Sequence, residues 1–360
     1  MPGGEDRARE TRVSAAGGTA APAPPYPGVR RRPLATGGAP VTEPIAAVVV
    51  PAHNEEAVIG RTLDRLLAGA RPGELRVVVV PNACTDRTAE EARKAAARHA
   101  PAVSSGDQRP AAGGVLVVET DVPGKPHALR LGDAHCGGVF PRVYLDADVE
   151  LTAESVRALV AACARPGVLA CAPVPELDLT GVGPVARRMH RVHERLVAPH
   201  RALAGVGVYV LTAEGHARAF PIPDEVISDD GWVHRSFAPH ERAVVPEARS
   251  LVRPARTVRA HLRRRVRVRL GNRQLDALGL PAWEPRLRLA DLLALVRRRE
   301  AVVPDAACYL AVQLLDRALT AVRARRGGAP AWGTDASTRV SHGPAAAASR
   351  TPPRTPPAAG

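Results

Sequence analysis

The chain has 360 residues, enough for one large domain or two modest ones with a buried core. Its formal net charge is +14, carried by 48 arginines and only two lysines. Because just three Phe, three Trp and four Tyr could stack on bases, the composition argues against a nucleic-acid-binding protein. The one dense basic run, Arg259 to Arg273, suits phosphates, whether on a nucleotide, a nucleic acid or an anionic membrane.

Short apolar runs alternate with helical periodicity through the first half of the chain. The run at 45–50 is rich in β-branched residues and stops at Pro51, which is typical of a strand buried on both faces. A helical period follows over 55–70, with Asn54 as its predicted cap. The same alternation predicts strands at 76–80, 115–118 and 143–145, and helices that begin at Thr88 (in a capping box with Glu91), span 126–135 and begin at Thr152.

The order of strands and helices indicates parallel strands joined by crossover helices. After a strand at 168–174 the alternation becomes less regular, and one more strand is predicted at 206–211. We therefore predict an α/β fold with a doubly wound, mostly parallel, Rossmann-like sheet in a single domain.

Both ends of the chain differ from this core. Residues 1–43 and 327–360 are crowded with Pro, Gly, Ala and Arg, and we expect disordered tails because they could bury too little apolar surface. The five cysteines have no CxxC spacing, which favours a reducing cytoplasm over a disulfide framework or a zinc site. No N-terminal signal segment and no apolar run of ~20 residues is visible. A cytoplasmic protein is expected, with peripheral contact at the inner face of the membrane as an option.

Polar motifs follow four successive predicted strands. In an open α/β sheet, ligands bind beyond the carboxyl ends of the strands, so these motifs should meet. Individually, the segments 51–56 and 81–86 are ordinary helix-start loops, and Lys125 is an ordinary loop lysine before a helix N-terminus suited to anions. Their shared position indicates a single site.

Two acidic motifs supply the candidate chemistry. Asp146 and Asp148 end an apolar strand, where the chain can turn so that both carboxylates reach one Mg²⁺ or Mn²⁺ ion. Asp229 and Asp230 lie about 80 residues further on. A solvated acidic turn explains this pair equally well, whereas the functional interpretation makes one of them a general base.

The ordered series of motifs resembles family 2 glycosyltransferases over roughly residues 45–275. The resemblance implies an A-type glycosyltransferase fold, a nucleotide-sugar donor, a divalent metal and inversion at the anomeric carbon. The expected enzyme is of the hexosyltransferase type. The matching motifs are Pro51-x-x-Asn54-Glu55, Cys84-Thr85-Asp86-Arg87-Thr88, Gly124-Lys125-x-x-Ala128-Leu129, Asp146-x-Asp148 and Asp229-Asp230.

The resemblance also implies residue roles and domain limits. The catalytic domain would span 44–290, with a nucleotide-binding half (44–150) and an acceptor half (151–290), followed by C-terminal helices at 291–326. UDP is the first choice of nucleotide and GDP the second. Asp230 would be the catalytic base beside Asp229, and Asp148 and Asp146 would be the metal ligands. The nucleoside would be bordered by Pro51, Asn54, Glu55, Asn82 and Asp86, and Lys125 and Asp146 would lie by the nucleotide. Apart from the resemblance, Arg264 and Arg267 are candidates for the diphosphate because a guanidinium pairs well with phosphate oxygens, and His261 is a further candidate metal ligand.

Departures from the family pattern keep alternatives open. Arg130 stands where the family has Asn, and the stretch 264–268 lacks the Gln and Trp of processive members, which argues against a polysaccharide synthase. A degenerate nucleotide-sugar-binding protein without turnover and a sugar nucleotidyltransferase remain the alternatives, although the latter usually needs a Gly-rich loop after its first strand. A lone histidine such as His261 is more often structural than a ligand.

The segment 305–325 predicts an amphipathic helix with a basic side. Its apolar stripe consists of Val312, Leu315, Leu319 and Val322. Packing on the catalytic domain or in a homodimer is the default expectation. Binding to an anionic membrane, which would suit a lipid-linked acceptor, is the alternative.

Overall fold

The computed structural model describes residues 43–99, 114–285 and 287–326. All of them belong to one compact unit. Apart from Glu43, the predicted disordered tails at 1–43 and 327–360 lie outside the described residues.

An eight-stranded sheet forms the centre of this unit, in the order β3-β2-β1-β4-β7-β6-β8-β5. Strands β1 to β4 pair in parallel, as predicted, because each is reached through a helical crossover. Strand β7 runs antiparallel to both neighbours, and β5 runs antiparallel to β8, so the sheet is mixed. The strands are β1 (Ala46–Ala52), β2 (Leu75–Pro81), β3 (Val115–Val117), β4 (Arg142–Leu145), β5 (Glu150–Leu151), β6 (Ala170–Leu177), β7 (Val208–Leu211) and β8 (Arg242–Val252).

Helices cover both faces of the sheet. Helices α1, α2 and α4 pack on one face around Val48 and Val50, and α3, α6 and α7 pack on the other around Ala47 and Val49. All seven residues of β1 are therefore buried, which explains its continuous apolar run. The helices are α1 (Ile59–Leu67), α2 (Thr88–Arg98), α3 (Lys125–His135), α4 (Ala153–Cys163), α5 (Pro184–Val197), α6 (Ala213–Ala219), α7 (Asp229–Arg235), α8 (Val258–Ala277), α9 (Leu289–Arg297) and α10 (Val303–Arg326).

One predicted helix start and one predicted capping box are wrong. Helix α1 begins at Ile59 rather than at residue 55, and Asn54 does not cap it; Asn54 has φ 54° and accepts a hydrogen bond from Thr85 instead. Helix α2 begins at Thr88, as predicted, but the capping box does not form, because Arg87 is the N-cap residue and the backbone N–H of Thr88 donates to Asp86. At α1 the predicted first turn is replaced by contacts with the loop after β2, which local sequence patterns do not encode.

A third apolar core lies among the C-terminal helices. Helices α8, α9 and α10 pack with α5 around Met189, Leu262, Leu295 and Tyr309. Within this cluster Asp316 of α10 is only 1% exposed and is paired with Arg265 and Arg269 of α8. The predicted apolar stripe of α10 is split, since Val312 is buried whereas Leu315 and Val322 are exposed.

Candidate active site

The Asp146–Asp148 turn follows β4 and is fixed by its neighbours. The backbone N–H of Asp146 donates to the carbonyl of Gly207 over 2.9 Å, and the hydroxyl of Thr62 donates to the carbonyl of Ala147 over 2.7 Å. A further backbone bond from Val149 to Asp146 closes the turn. Both carboxylates are therefore presented by a braced loop at the carboxyl edge of the sheet.

Lys125, the first residue of α3, connects the two acidic motifs. Its Nζ lies 2.6 Å from Oδ1 of Asp146 and 3.0 Å from Oδ1 of Asp229. Burial opposes the charge of the ammonium, but the carboxylates of Asp146, Asp229 and Asp230 outweigh it and hold the pKa of Lys125 well above its usual range. Lys125 is thus a permanent cation between β4 and α7.

The two acids at the start of α7 have different environments. Asp229 is buried, and burial raises the pKa of its carboxyl although Lys125 offsets part of the effect. Burial acts in the same direction on Asp230, but Lys125 and three hydrogen bonds prevail and lower the pKa of its carboxyl. Those bonds come from the Ser228 hydroxyl (2.7 Å) and the backbone N–H groups of Gly231 and Gly205 (both 2.8 Å).

Asp230 consequently remains ionised at neutral pH and is held in one orientation. Its Oδ1 accepts two of the three bonds and its Oδ2 accepts one. A carboxylate offers about four lone-pair positions, so Oδ2 retains capacity for a further donor. This is the geometry that a general base needs.

The donor set at the Asp146–Asp148 turn fits a divalent cation. Burial raises the pKa of Asp148, the neighbouring Asp146 carboxylate raises it further, and the guanidinium of Arg264 opposes both effects. Two mutually repelling carboxylates in a braced turn are the hard oxygen ligands that Mg²⁺ or Mn²⁺ takes, with water and phosphate oxygens completing the shell. Arg264 is exposed on α8, and Arg267 is exposed one turn further on.

His261 of α8 packs against helix α5. Its ring packs edge-on against His190 of α5, with 5.5 Å between ring centroids, and is only 7% exposed. Burial, together with nearby His190 and Arg265, lowers the pKa of His261 to about 3. Across the described ranges, no three His, Cys, Asp or Glu side chains are grouped so as to hold a metal ion, so His261 does not join Asp146 and Asp148 in this structure.

The loops after β1 and β2, which carry the predicted nucleoside residues, are interlocked. Asn54 accepts from the backbone of Thr85 over 2.8 Å, and Asp86 accepts from the backbone of Glu56 over 3.1 Å. Asn82 is 5% exposed and donates to the carbonyl of Ala52 over 2.8 Å. These side chains brace the wall of the site rather than projecting into it.

Pro51 and Glu55 complete this part of the site. Pro51 is buried within β1, opposite Val80 of β2. Glu55 receives its bracing through the backbone, since its N–H donates to the hydroxyl of Thr88 over 2.7 Å. The motif after β1 therefore positions the β2 loop, a role that its sequence does not reveal.

The sequence analysis did not predict several residues that lie at the site. Gly205 and Gly207 precede β7 with φ of 79° and 69°, and their backbones contact Asp230 and Asp146. The Gly-x-Gly spacing before a strand could have identified them. Arg130, the departure from the family pattern, donates to the carbonyl of Ile222 over 2.9 Å and pairs with Asp224, which fixes the loop before α7.

Comparison with known protein families gives a match over part of the chain. Residues 47–202 match the sequence model of glycosyl transferase family 2. The chain contains a glycosyl transferase family 2 domain. The match includes the Asp146–Asp148 turn and Lys125, whereas Asp229 and Asp230 lie beyond its end. No curated protein matches the chain in sequence.

Two solved structures are similar to this chain, and the first of them shares its fold. A mannosyltransferase from Pyrobaculum calidifontis, PcManGT in complex with GDP-Man and Mn²⁺, is 23% identical with a TM-score of 0.52, over 79% of this chain and 80% of that one. Glucosyl-3-phosphoglycerate synthase from Mycobacterium tuberculosis, in complex with Mn²⁺, UDP and glucosyl-3-phosphoglycerate, is 18% identical with a TM-score of 0.43, over 66% and 81%. The predicted α/β fold, the A-type glycosyltransferase fold, is confirmed. Among the described helices, none has the length and apolar character needed to cross a membrane.

Proposed function

We propose that the protein is an inverting, metal-dependent hexosyltransferase that moves a sugar from a nucleoside diphosphate to an acceptor hydroxyl. The observation that carries the proposal is that Asp146 and Asp229 both lie within 3.0 Å of the Nζ atom of Lys125 at the carboxyl edge of the sheet, in a chain whose residues 47–202 match family 2. The motif order supports the same conclusion.

In this proposal Asp230 is the catalytic base. Its carboxylate accepts the proton of the acceptor hydroxyl while that oxygen forms a bond to the anomeric carbon. The bond between that carbon and the diphosphate oxygen breaks at the same time, so the nucleoside diphosphate leaves and the configuration inverts. The lowered pKa of Asp230 and the bonds from Ser228, Gly205 and Gly231 keep the base ionised and oriented.

The remaining charged residues would hold the donor. Arg264 and Arg267 would bind the diphosphate, because a guanidinium binds phosphate oxygens well. Asp148 and Asp146 would bind Mg²⁺ or Mn²⁺, which in such sites neutralises charge on phosphate oxygens. His261 remains a weaker candidate ligand, since it packs against His190.

The nucleotide and acceptor are proposed on narrower grounds. The wall on which the nucleobase would lie is formed or braced by Pro51, Asn54, Glu55, Asn82 and Asp86. UDP is the first choice of nucleotide and GDP is the second. A glycosyltransferase-like binder without turnover is the competing function, and three departures from the family pattern, Asn82, Arg130 and Val268, favour it.

Hydrolysis of the donor separates these functions. UDP- and GDP-sugars are incubated with the protein and Mn²⁺, and free sugar is measured for the wild type and for Asp230→Asn. Metal-dependent release that the variant lacks supports the transferase. Nucleotide binding without any release would favour the non-catalytic binder.

A further inference from the structure

Most of the net positive charge of the protein lies in the region of its last three helices. From Val258, where α8 begins, to Arg326, where α10 ends, the sequence has 16 arginines and six carboxylates. This region therefore carries a net charge of +10, out of +14 for the whole chain. It lies beyond the matched family 2 domain, which ends at residue 202.

The same region exposes an unusual number of large apolar side chains. The segment 278–303, here termed the apolar segment, runs from the end of α8 through α9 to the start of α10. Helix α9 within it has two apolar faces, because Leu292 and Leu295 are buried while Leu289 and Leu293, one turn apart, are exposed. Seven side chains of the segment are exposed: Leu278 (52%), Trp283 (44%), Leu287 (36%), Leu289 (56%), Leu293 (54%), Val302 (60%) and Val303 (66%).

Arginines without carboxylate partners accompany these side chains. Arg288, Arg297, Arg298 and Arg299 are exposed, and none of them forms a salt bridge with a described residue. Of the three acids in the segment, Glu284 binds His234 and Arg242, and Asp291 accepts the backbone N–H of Arg288. The third, Glu300, is exposed and forms no salt bridge with a described residue. Arg299 even has φ 59°, a conformation that favours glycine.

We propose that the apolar segment docks on an anionic lipid surface. Exposed Leu, Val and Trp side chains can enter the boundary between headgroups and acyl chains, and the flanking guanidinium groups can bind the phosphates. A twofold dimer through this segment is disfavoured because it would bring the unpaired arginines of the two copies together. Nucleic acid is disfavoured because the exposed apolar side chains are aliphatic except for Trp283.

This proposal goes beyond the proposed function and is independent of it, because binding to lipid requires no turnover. It differs from the sequence-based expectation in its location. That expectation placed the membrane contact on the stripe of α10, of which Val312 is buried. The apolar segment instead combines exposed apolar side chains with exposed arginines that form no salt bridge with a described residue.

The test is co-sedimentation of the full chain with vesicles of phosphatidylcholine, with and without phosphatidylglycerol. An apolar variant, Leu289→Ser with Leu293→Ser, changes only exposed side chains of α9. A charge variant combines Arg297→Gln, Arg298→Gln and Arg299→Gly, the last of which relieves a left-handed backbone and so should not weaken the fold.

Matched controls lie elsewhere on the protein. Leu116→Ser removes an apolar side chain that is 45% exposed on β3, and a triple change of Arg65, Arg71 and Arg165 to Gln removes three exposed charges. Thermal unfolding of every variant confirms that it is folded. The wild type should also be examined by sedimentation velocity without lipid.

The proposal predicts that the wild type and both controls bind the anionic vesicles and not the neutral ones. The apolar variant should lose at least about ten-fold in partitioning. For the charge variant, partitioning into the anionic vesicles should fall about five-fold for each arginine removed. Absence of wild-type binding, equal binding by either test variant, or a wild-type dimer that Leu289→Ser with Leu293→Ser dissociates would each overturn it.

Discussion

The Nζ atom of Lys125 lies 2.6 Å from Oδ1 of Asp146, and this contact joins the start of α3 to the turn after β4. The same ammonium also reaches the buried Asp229 of α7. A single cation therefore stabilises acids from two distant parts of the chain, and the shape of the site depends on it.

Replacement of Lys125 should be costly for stability. Lys125→Gln leaves the buried carboxylate of Asp229 without its cation, so we expect a loss of about 3 kcal/mol in the free energy of unfolding. The matched control is Lys94→Gln, since Lys94 also contacts two carboxylates, Glu90 and Glu91, but does so on the surface. That change should have little effect. Urea unfolding measures both, and equal losses would contradict the structural role of Lys125.

Asp230 should control turnover rather than binding. Asp230→Asn removes the base, so the rate should fall by about 10²–10⁴-fold while nucleotide affinity is nearly unchanged. Glu225→Gln is the control, because Glu225 lies five residues earlier and is exposed. Turnover and nucleotide affinity are measured separately. Full activity of Asp230→Asn would show that the base has been assigned wrongly.

The two glycines before β7 offer a matched pair. Both have positive φ, so an alanine at either position should cost about 1–2 kcal/mol from backbone strain. A Cβ at Gly205 would meet open space, whereas one at Gly207 would lie 2.5 Å from Val149 Cγ2, beside Asp146. Gly207→Ala should therefore lose about 1–3 kcal/mol more than Gly205→Ala. Thermal unfolding compares them, and equal losses would contradict the close packing.

His261 should make the fold sensitive to acid. Its pKa is about 3 in the folded protein and about 6.5 when unfolded, so below pH 6.5 the unfolded chain binds the extra proton. The resulting loss of stability begins near pH 6.5, continues to about pH 3, and reaches about 2 kcal/mol at pH 5.

The measurement for this prediction is the slope of unfolding free energy against pH between pH 7 and 5. His261→Gln should flatten the slope, whatever it does to the absolute stability. His200→Gln, which changes an exposed histidine, should leave the slope unchanged. An unaltered slope in the His261 variant would mean that this ring is protonated as readily in the folded protein as in the unfolded chain.

The sequence predicts the sheet better than the loops that complete the site. Strand β1 is recognisable because burial on both faces requires a continuous apolar run, and the motifs after β1, β2 and β4 follow from strand ends. The bracing of Asp86 on the backbone of Glu56 is not predictable, because it joins loops 30 residues apart. The antiparallel insertion of β7 likewise depends on long-range pairing with β4 and β6.

Nucleotide-dependent thermal stabilisation tests the central claim most directly. Melting temperatures are measured with UDP, GDP and their sugar conjugates, with and without Mn²⁺, for the wild type, Asp148→Ala and the surface control Glu154→Ala. At about 100 times its dissociation constant a ligand adds about 2.7 kcal/mol, which is readily detected. We predict a metal-dependent shift with one nucleotide for the wild type and the control, and none for Asp148→Ala. The absence of any shift in the folded wild type would contradict the proposed donor site.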